Sequence, residues 1–134
     1  RTNFVGRSGF QKPSFVDWIY LSIKKKKKIK LFYDMFTSTI DIESCARYIL
    51  LLSLSNSIGI FNLGSRGQIS KEKFALKFTK KLGLTLNYES VSTNIFNINR
   101  GKNLGMNVNK IEKKLKIKMP TINKVISNLV KYYK

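Results

Sequence analysis

The chain has 134 residues, a length that allows one domain with a modest hydrophobic core. Its 43% hydrophobic and 12% aromatic content is typical of a globular protein and argues against disorder. The formal net charge of +19 suits a nucleic-acid binder, but it comes mostly from Lys in a chain also rich in Asn, Ile, Phe and Tyr. These residues share AT-rich codons, so the charge alone does not establish an anionic partner.

Residue content and patterning argue against several classes of protein. The single cysteine, Cys45, permits no internal disulfide, and a chain without His lacks common ligands for zinc. The longest apolar run, 49–61, is broken by Ser, Asn and Gly, so it falls short of the roughly 18 residues of a membrane span. We therefore expect a cytoplasmic protein with no metal site and no membrane association.

The first part of the chain predicts a strand, a helix and a second strand. Residues 1–5 resemble the end of an interior strand and lead into a turn at Gly6. Ser14 and Asp17 form a capping-box pattern for a helix over 14–23. The inward face of that helix is predicted to carry Phe15, Trp18, Ile19 and Ile23. The lysine run 24–28 is interpreted as a solvated helix end, and 29–33 as a strand.

The central part predicts two further helices separated by a strand. Asp41 is expected to cap a helix whose buried face carries Cys45, Ala46, Ile49, Leu50 and Leu52. Residues 59–64 predict a buried strand between two glycines. Ser70 is expected to cap the next helix, and Gly83 to end it. Its predicted inward residues are Phe74, Phe78 and Leu82.

The remainder predicts a strand, a loop and two short helices. Residues 85–91 alternate weakly as a strand, and the Asn-rich segment 95–106 predicts a loop. Helices are predicted over about 109–115 and 121–133, separated by Pro120. Strands alternating with helices along the whole chain indicate an α/β fold.

The order of several short motifs resembles one family. Residues 1–6, Arg-Thr-Asn-Phe-Val-Gly, resemble the R-T-(S/N)-(W/F) strand end of extended short-chain dehydrogenases of the dTDP-dehydrorhamnose reductase type. Residues 34–46 resemble the D-Q-x-x-S-P-T-x-x-x-D-L-A stretch of that family, and 59–65 its G-(I/V)-(Y/F)-(H/N)-(L/V) strand. The family's R-P-x-x-x-x-L-(D/N)-x-x-K-(L/I) motif resembles Arg100 with Asn107, Lys110 and Ile111. Its closing (L/M)-P-(S/T/D) motif resembles residues 119–121.

The chain departs from this pattern at three positions. Thr39 and Gly101 stand where the family pattern has Pro, and Ser44 replaces an acidic residue two positions before Ala46. These departures leave the fold expectation intact and loosen any assignment of a particular substrate.

The resemblance implies a fold and a cofactor. It implies the C-terminal portion of an extended short-chain dehydrogenase, in which 1–134 comprises the last Rossmann strands and a small substrate-binding subdomain. The family binds NAD(P) at a Gly-rich turn after its first strand, and no G-x-x-G-x-x-G occurs here. We therefore expect that an N-terminal part outside this chain binds most of the dinucleotide.

The family's catalytic pair is a Tyr-x-x-x-Lys motif, and Tyr20 with Lys24 has that spacing. In the family, however, the pair precedes the strand that 1–6 resembles, whereas Tyr20 follows it. We assign no catalytic residue to this chain and expect Tyr20 to lie on a helix away from the carboxyl end of that strand.

Substrate recognition is the remaining role, with a nucleotide-diphosphate sugar as the implied ligand. Arg100 is the candidate for the diphosphate because its planar guanidinium forms bidentate contacts, although a surface arginine is the plain alternative. Arg1, Thr2 and Asn3 lie at a strand end, where α/β folds place ligands. Thr37 and Ser38 could bond the sugar, but a capping turn explains these two residues equally well.

Three hypotheses therefore stay open. The first is a part of a sugar-nucleotide reductase or epimerase of cell-surface polysaccharide biosynthesis, with a homodimer as an open alternative to a monomer. The second is a small basic nucleic-acid-binding domain, and the third is a catalytically silent scaffold. A nucleic-acid binder should concentrate its lysines on one face, whereas a biased genome should spread them.

Overall fold

The computed structural model describes residues 1–9, 12–95 and 101–134, in which five helices alternate with short strands. Four of the helices begin at the side-chain caps Ser14, Asp41, Ser70 and Thr121, each of which accepts a hydrogen bond from the backbone N–H three residues later. The helices are α1 Phe15–Lys24, α2 Ile42–Ser53, α3 Lys71–Leu82, α4 Asn109–Leu115 and α5 Ile122–Val130.

The strands are short and form three small sheets. They are β1 Phe4–Val5, β2 Ile29–Phe32, β3 Phe36–Thr37, β4 Ile40–Asp41, β5 Ile69–Ser70, β6 Tyr88–Val91 and β7 Asn103–Leu104, with a 3-10 turn at Thr93–Ile95. The pairs β1–β4 and β2–β6 are parallel, whereas β3 runs antiparallel to β5 and parallel to β7. A parallel bridge between Thr2 and Leu63 lies beside the first pair.

Two hydrophobic cores hold these elements together. The larger one packs α1, α3 and α5 against β2, whose alternation places Ile29 and Leu31 inside and Lys30 outside. The smaller one joins the β4–α2 segment to the C-terminal region through Ile40, Cys45, Leu63, Val108, Ile111 and Met119. The α/β class predicted from the sequence is confirmed.

The structure confirms several helix starts and ends that were predicted from the sequence. The Ser14 and Asp17 capping box is formed at the start of α1. Gly83 ends α3 in the left-handed conformation with φ of 70°, which L-residues with a Cβ adopt at a cost. The helix predicted over 109–115 has these bounds, and α5 begins after Thr121 but ends at Val130 rather than Tyr133.

The predicted faces of two helices need correction. In α1, Val16 is fully buried, whereas Trp18, which was predicted to face inward, is 36% exposed. In α2, Cys45 is buried as predicted, but Ala46, Ile49 and Leu50 are exposed. Ile49 and Leu50 lie outward because no described element packs on that side of α2.

Two predicted segments also differ from the structure. The buried strand expected over 59–64 is reduced to the bridge at Leu63, and Ile60 is 62% exposed. Within the loop expected over 95–106, residues 96–100 lie outside the described residues, and β7 pairs with β3. Both differences arise from pairing between distant segments, which local residue patterns do not encode.

Candidate functional site

A cavity of about 450 Å³ lies at the carboxyl end of β1. Asn3 directly precedes β1, Gly6 lies in the turn after β1, and Phe15 begins α1. Ile42 begins α2 and Lys71 begins α3, so the cavity lies where three helices start. The carboxyl ends of strands are where α/β folds place ligands.

The backbone turn at the cavity depends on a glycine. A Cβ added to Gly6 would lie 2.6 Å from Cγ2 of Ile42, too close for any side chain. Gly6 therefore lets the turn after β1 pass directly over the start of α2, which brings both segments into the cavity wall.

The charged side chains that line this cavity are all cationic. They are Arg7 and Lys12 from the β1–α1 loop and Lys71 from α3; no Asp or Glu stands among the described lining residues. Because nothing acidic offsets these charges within the wall, the cavity favours an anionic ligand.

Lys71 is the most enclosed of the three cations. Its Nζ lies 4.5 Å from the ring centroid of Phe15, a cation–π arrangement. None of the described carboxylates lies within salt-bridge distance of it. Burial lowers the pKa of Lys71 below its ordinary value, because the charged form loses hydration without gaining an anionic partner.

A second cavity, of about 500 Å³, lies between α1 and the C-terminal segment. Its wall includes Asp17, Tyr20 and Tyr133, and it shares Arg7 with the first cavity. The Tyr133 hydroxyl donates to Asp17 Oδ1 at 2.5 Å, and Asp17 also accepts from the backbone of Ser14. Although this cavity is slightly larger than the first, its one described acidic group is already hydrogen-bonded to Tyr133 and Ser14.

The pKa values of Asp17 and Tyr133 in the second cavity are shifted in the directions that their hydrogen bond favours. Burial raises the pKa of Asp17, but hydrogen bonds from Tyr133 and from the backbone of Ser8 and Ser14 outweigh it, and the net pKa is lowered. Burial and the hydrogen bond to Asp17 raise the pKa of Tyr133. The arrangement joins α1 to the C-terminal segment and has a structural role.

Tyr20 lies on α1 and lines this second cavity, not the one at the end of β1. Its ring packs against Tyr133 with centroids 5.1 Å apart, and the Nζ of Lys24 lies 5.4 Å from its centroid. Tyr20 therefore lies on a helix and outside the wall of the β1 cavity, as expected from the sequence.

The predicted strand-end residues separate into two groups. Asn3 lines the cavity at the end of β1. Arg1 and Thr2 do not line it: the Arg1 amine donates to the carbonyl of Phe61, and Thr2 Oγ1 lies 3.6 Å from the Cys45 sulfur. Asn3 is therefore the member of this trio that the structure brings to the cavity.

Thr37 and Ser38 are almost fully buried, each 1% exposed. The hydroxyls of Thr37 and Thr39 share a hydrogen bond of 2.9 Å. The Ser38 hydroxyl donates to the carbonyl of Gly67 and accepts from the backbone N–H of Met106. Both predicted ligands thus bond to the chain itself, and Thr39 is the hydroxyl residue of this stretch that lines the cavity.

Arg100, the predicted diphosphate ligand, lies outside the described residues. Sequence reasoning did not identify the cationic trio Arg7, Lys12 and Lys71, because Lys71 is far from the other two along the chain. In a lysine-rich sequence no local signal distinguishes such a residue from a solvated one.

The described residues do not form a dinucleotide site by themselves. Gly6 and Gly9 have the spacing of the first two glycines in G-x-x-G-x-x-G, but Lys12 stands at the third position. Within the described ranges, no group of three acidic or cysteine side chains is placed to hold a metal ion. None of the described helices combines the length and apolarity of a bilayer-spanning helix.

Solved structures with the same fold are known, although the sequences have diverged. No protein-family model and no curated protein matches the sequence. A dTDP-4-dehydrorhamnose reductase from Bacillus anthracis, in complex with NADP, superposes with a TM-score of 0.86 at 20% identity. That match covers 96% of this chain and 46% of the reductase.

Two further structures extend the comparison. The dTDP-glucose 4,6-dehydratase of B. anthracis, in complex with NAD, superposes with a TM-score of 0.77 at 15% identity, and the match covers 98% of this chain and 42% of the dehydratase. The enzyme WbmG of Bordetella bronchiseptica, in complex with NAD and UDP, superposes with a TM-score of 0.73 at 16% identity. That match covers 98% of this chain and 42% of WbmG.

The chain thus has the fold of part of a Rossmann-like short-chain dehydrogenase, as the motif order predicted, and it spans a little under half the length of these structures. Identities of this size show the fold and not the activity.

Proposed function

We propose that this chain is the substrate-binding part of a cytoplasmic NAD(P)-dependent sugar-nucleotide oxidoreductase or epimerase, similar to dTDP-4-dehydrorhamnose reductase. The observation that carries the proposal is the cationic cavity at the carboxyl end of β1. In this fold, a site lined by Asn3, Thr39 and Lys71 suits a ligand with sugar hydroxyls and phosphates. The sugar nucleotides that such an enzyme produces would supply cell-surface polysaccharide synthesis.

An unpaired strand edge supports a separate dinucleotide-binding part. The carbonyl oxygens of Arg1 and Asn3 accept hydrogen bonds from Leu63 and Ile40, at 2.8 Å and 3.0 Å, on one edge of the first strand. Backbone groups alternate in direction along a strand, so those of Thr2 and Phe4 point to the opposite edge. At that opposite edge, no described residue pairs with the backbone groups of Thr2 and Phe4.

The apolar face of α2 supports the same proposal. Ile42, Ile49, Leu50 and Leu54 are 40%, 53%, 59% and 74% exposed, on a helix that packs against β1. An apolar face of this size on a helix favours coverage by another structured element. A further parallel strand at the free edge of β1, with the rest of a dinucleotide-binding domain, would cover both features.

The genomic DNA upstream of the Arg1 codon provides one test of this proposal. It should encode a Gly-rich turn after a first strand and, further on, a Tyr-x-x-x-Lys motif. An upstream reading frame with a stop codon and no such motifs would remove the dinucleotide-binding part from the proposal.

The purified 134-residue chain provides a second test. It should bind UDP- or dTDP-sugars in a calorimetric titration and should show no oxidation of NAD(P)H with them, because the described residues supply neither a dinucleotide turn nor a placed catalytic pair. Turnover by the chain alone, or no binding of any sugar nucleotide, would contradict the proposal.

Arg100 belongs to this proposal as a diphosphate ligand on the strength of its motif. In the complete enzyme, Arg100→Lys keeps one charge but loses the bidentate geometry, so the Michaelis constant for the sugar nucleotide should rise on the order of tenfold. The dissociation constant of NAD(P)H should not change. An unchanged Michaelis constant would remove Arg100 from the site, and equal losses for both ligands would indicate a folding defect.

A further inference from the structure

Lys71 presents an ammonium group that lacks an anionic partner in a partly enclosed position. Its Nζ lies over the ring of Phe15, which attracts the charge but accepts no conventional hydrogen bond. Among the described residues, no carboxylate or carbonyl is placed to accept from it. Removing an ammonium from water without supplying an acceptor is unfavourable, so the group favours a ligand that provides one.

Two further cations line the same cavity. Arg7 and Lys12 come from the loop between β1 and α1, and Lys71 reaches the wall from α3. The Arg7 guanidinium also donates to the carbonyl of Tyr132 at 3.5 Å, which leaves its other N–H groups for a ligand. The helix ends at the cavity are bonded by their own caps Ser14, Asp41 and Ser70, so the three cations are the groups that attract a ligand.

We propose that the cavity at the end of β1 is an oxyanion site in which Lys71, assisted by Lys12 and Arg7, selects ligands that carry a phosphate or carboxylate group. This inference rests on the proposed function and makes it more specific: Lys71 is a determinant of substrate charge. The oxyanion has two sources within a sugar nucleotide. One is the diphosphate, and the other is a carboxylate on the sugar ring.

The apolar part of the wall restricts what accompanies the oxyanion. Phe4, Phe15 and Ile42 line the cavity beside the cations. A bare inorganic ion would leave this apolar surface in contact with water, whereas a sugar ring attached to the oxyanion would cover it. The cavity therefore fits an anionic group joined to a larger body better than a free ion.

Calorimetric titration of the 134-residue chain with five probes tests the inference. The probes are inorganic phosphate, uridine, UDP, UDP-glucose and UDP-glucuronate. Lys71→Met keeps the length of the side chain and removes its charge, and Lys71→Arg keeps the charge. Lys73→Met, an exposed lysine on the same helical turn that does not line the cavity, is the matched control.

Lys71→Met should weaken binding of the anionic probes by on the order of tenfold, the loss of one charge-assisted hydrogen bond. Lys71→Arg should restore most of it, and Lys73→Met should change it by less than about twofold. Circular dichroism spectra of all variants should match, which separates a binding loss from unfolding. An equal effect of Lys71→Met and Lys73→Met would overturn the inference.

The probes also separate the two sources of the oxyanion. A similar loss for UDP, UDP-glucose and UDP-glucuronate identifies the diphosphate, whereas a loss confined to UDP-glucuronate identifies the sugar carboxylate; either supports the inference. Sugar-nucleotide binding that ignores Lys71→Met keeps the proposed function and removes this inference. Lys71-dependent binding of inorganic phosphate without any nucleotide keeps the oxyanion site and removes the proposed function. No binding of any probe removes both.

Discussion

Asp34 is the acceptor for a cluster of donors that follows β6. The Ser92 hydroxyl, the Thr93 backbone N–H and the Thr93 hydroxyl donate to its carboxylate at 2.7 Å, 2.8 Å and 3.0 Å. Partial burial raises the pKa of Asp34, but these hydrogen bonds outweigh it and lower the pKa to about 2. The ionised carboxylate thus fixes the segment after β2 to the 3-10 turn at Thr93–Ile95.

Replacing this carboxylate should make stability less dependent on pH. Because the folded-state pKa of Asp34 lies below its ordinary value of 3.8, the carboxylate stabilises the fold fully above about pH 5 and loses that effect as the pH falls toward 2. Asp34→Asn should therefore lower the melting temperature at pH 7, and the difference from the wild type should shrink as the pH falls from 5 to about 3.

Thermal unfolding followed by circular dichroism at several pH values measures this effect. Glu89→Gln is a suitable control, because Glu89 forms an exposed salt bridge with Lys28 and should have little influence on stability. A constant difference between Asp34→Asn and the wild type across the whole pH range would contradict the prediction.

Gly64 lies where two segments of the chain cross. A Cβ at this position would lie 2.6 Å from the backbone oxygen of Ser38 and 3.0 Å from Cε of Met106. The same Ser38 oxygen accepts a hydrogen bond from the N–H of Ser65, so it cannot move away without breaking that bond. The glycine is required by the close approach and not by an unusual backbone dihedral.

Gly64→Ala should destabilise the fold by about 1–3 kcal/mol, the usual cost of forcing a group into a packed site. Gly9→Ala is the matched control, since a Cβ at Gly9 has no neighbour within 4 Å. Urea unfolding of the two variants compares them directly, and the prediction is wrong if both lose the same stability.

At the scale of elements, the end of α3 shows how a local signal becomes a structure. Gly83 has φ of 70°, and the N–H of Leu84 donates to the carbonyl of Thr79 at 3.0 Å, so the last turn is closed by a hydrogen bond. Gly83→Ala should cost about 1 kcal/mol, because a Cβ disfavours this conformation.

The space around Gly83 makes that experiment clean, because a Cβ there would meet no neighbour within 4 Å. Gly83→Asn should cost less than Gly83→Ala, since Asn tolerates the left-handed region better. Equal losses for Ala and Asn in urea unfolding would indicate that backbone conformation is not the cause.

Signals of this local kind account for what the sequence predicted correctly. The caps Ser14, Asp41 and Ser70 and the terminator Gly83 act through bonds to neighbours a few residues away, so the residue pattern contains them. Helix faces are different. Periodicity shows that α2 has an apolar side, but whether Ile49 and Leu50 become buried depends on what packs there, and they are exposed.

The residues of the candidate site likewise differ in whether the local sequence predicts them or only the packing of distant segments does. Asn3 was predicted from its place in the first strand, and it lines the cavity although it precedes β1 and does not follow it. Lys71 was not predicted, since its role depends on the packing of α3 beside the β1–α1 loop and on the ring of Phe15 under its ammonium group. Thr37 and Ser38 fit a family motif, but the fold buries their hydroxyls in bonds to Thr39 and Gly67.

At the scale of the whole molecule, the excess of positive charge is spread over several elements. All seven acidic residues bond to groups within the chain, and few lysines are paired with them. Exposed lysines lie after α1, along α3, and on and after α4. Exposed lysines on several separate elements are what a biased composition predicts.

Neutralising one cluster at a time tests this interpretation. Three variants replace four lysines each by Gln: 24–27 at and after the end of α1; 73, 77, 80 and 81 on α3; and 113, 114, 116 and 118 on and after α4. Because no cluster dominates, each variant should weaken the binding of a short duplex DNA by less than about threefold at roughly 100 mM salt, since the remaining clusters replace the lost phosphate contacts.

A dedicated interface would behave differently, because losing about four phosphate contacts at once should weaken binding by on the order of a hundredfold and flatten the dependence on salt. Fluorescence anisotropy at several salt concentrations separates these outcomes, and a large loss in one variant alone would make nucleic-acid binding, through that cluster, the better account of the charge.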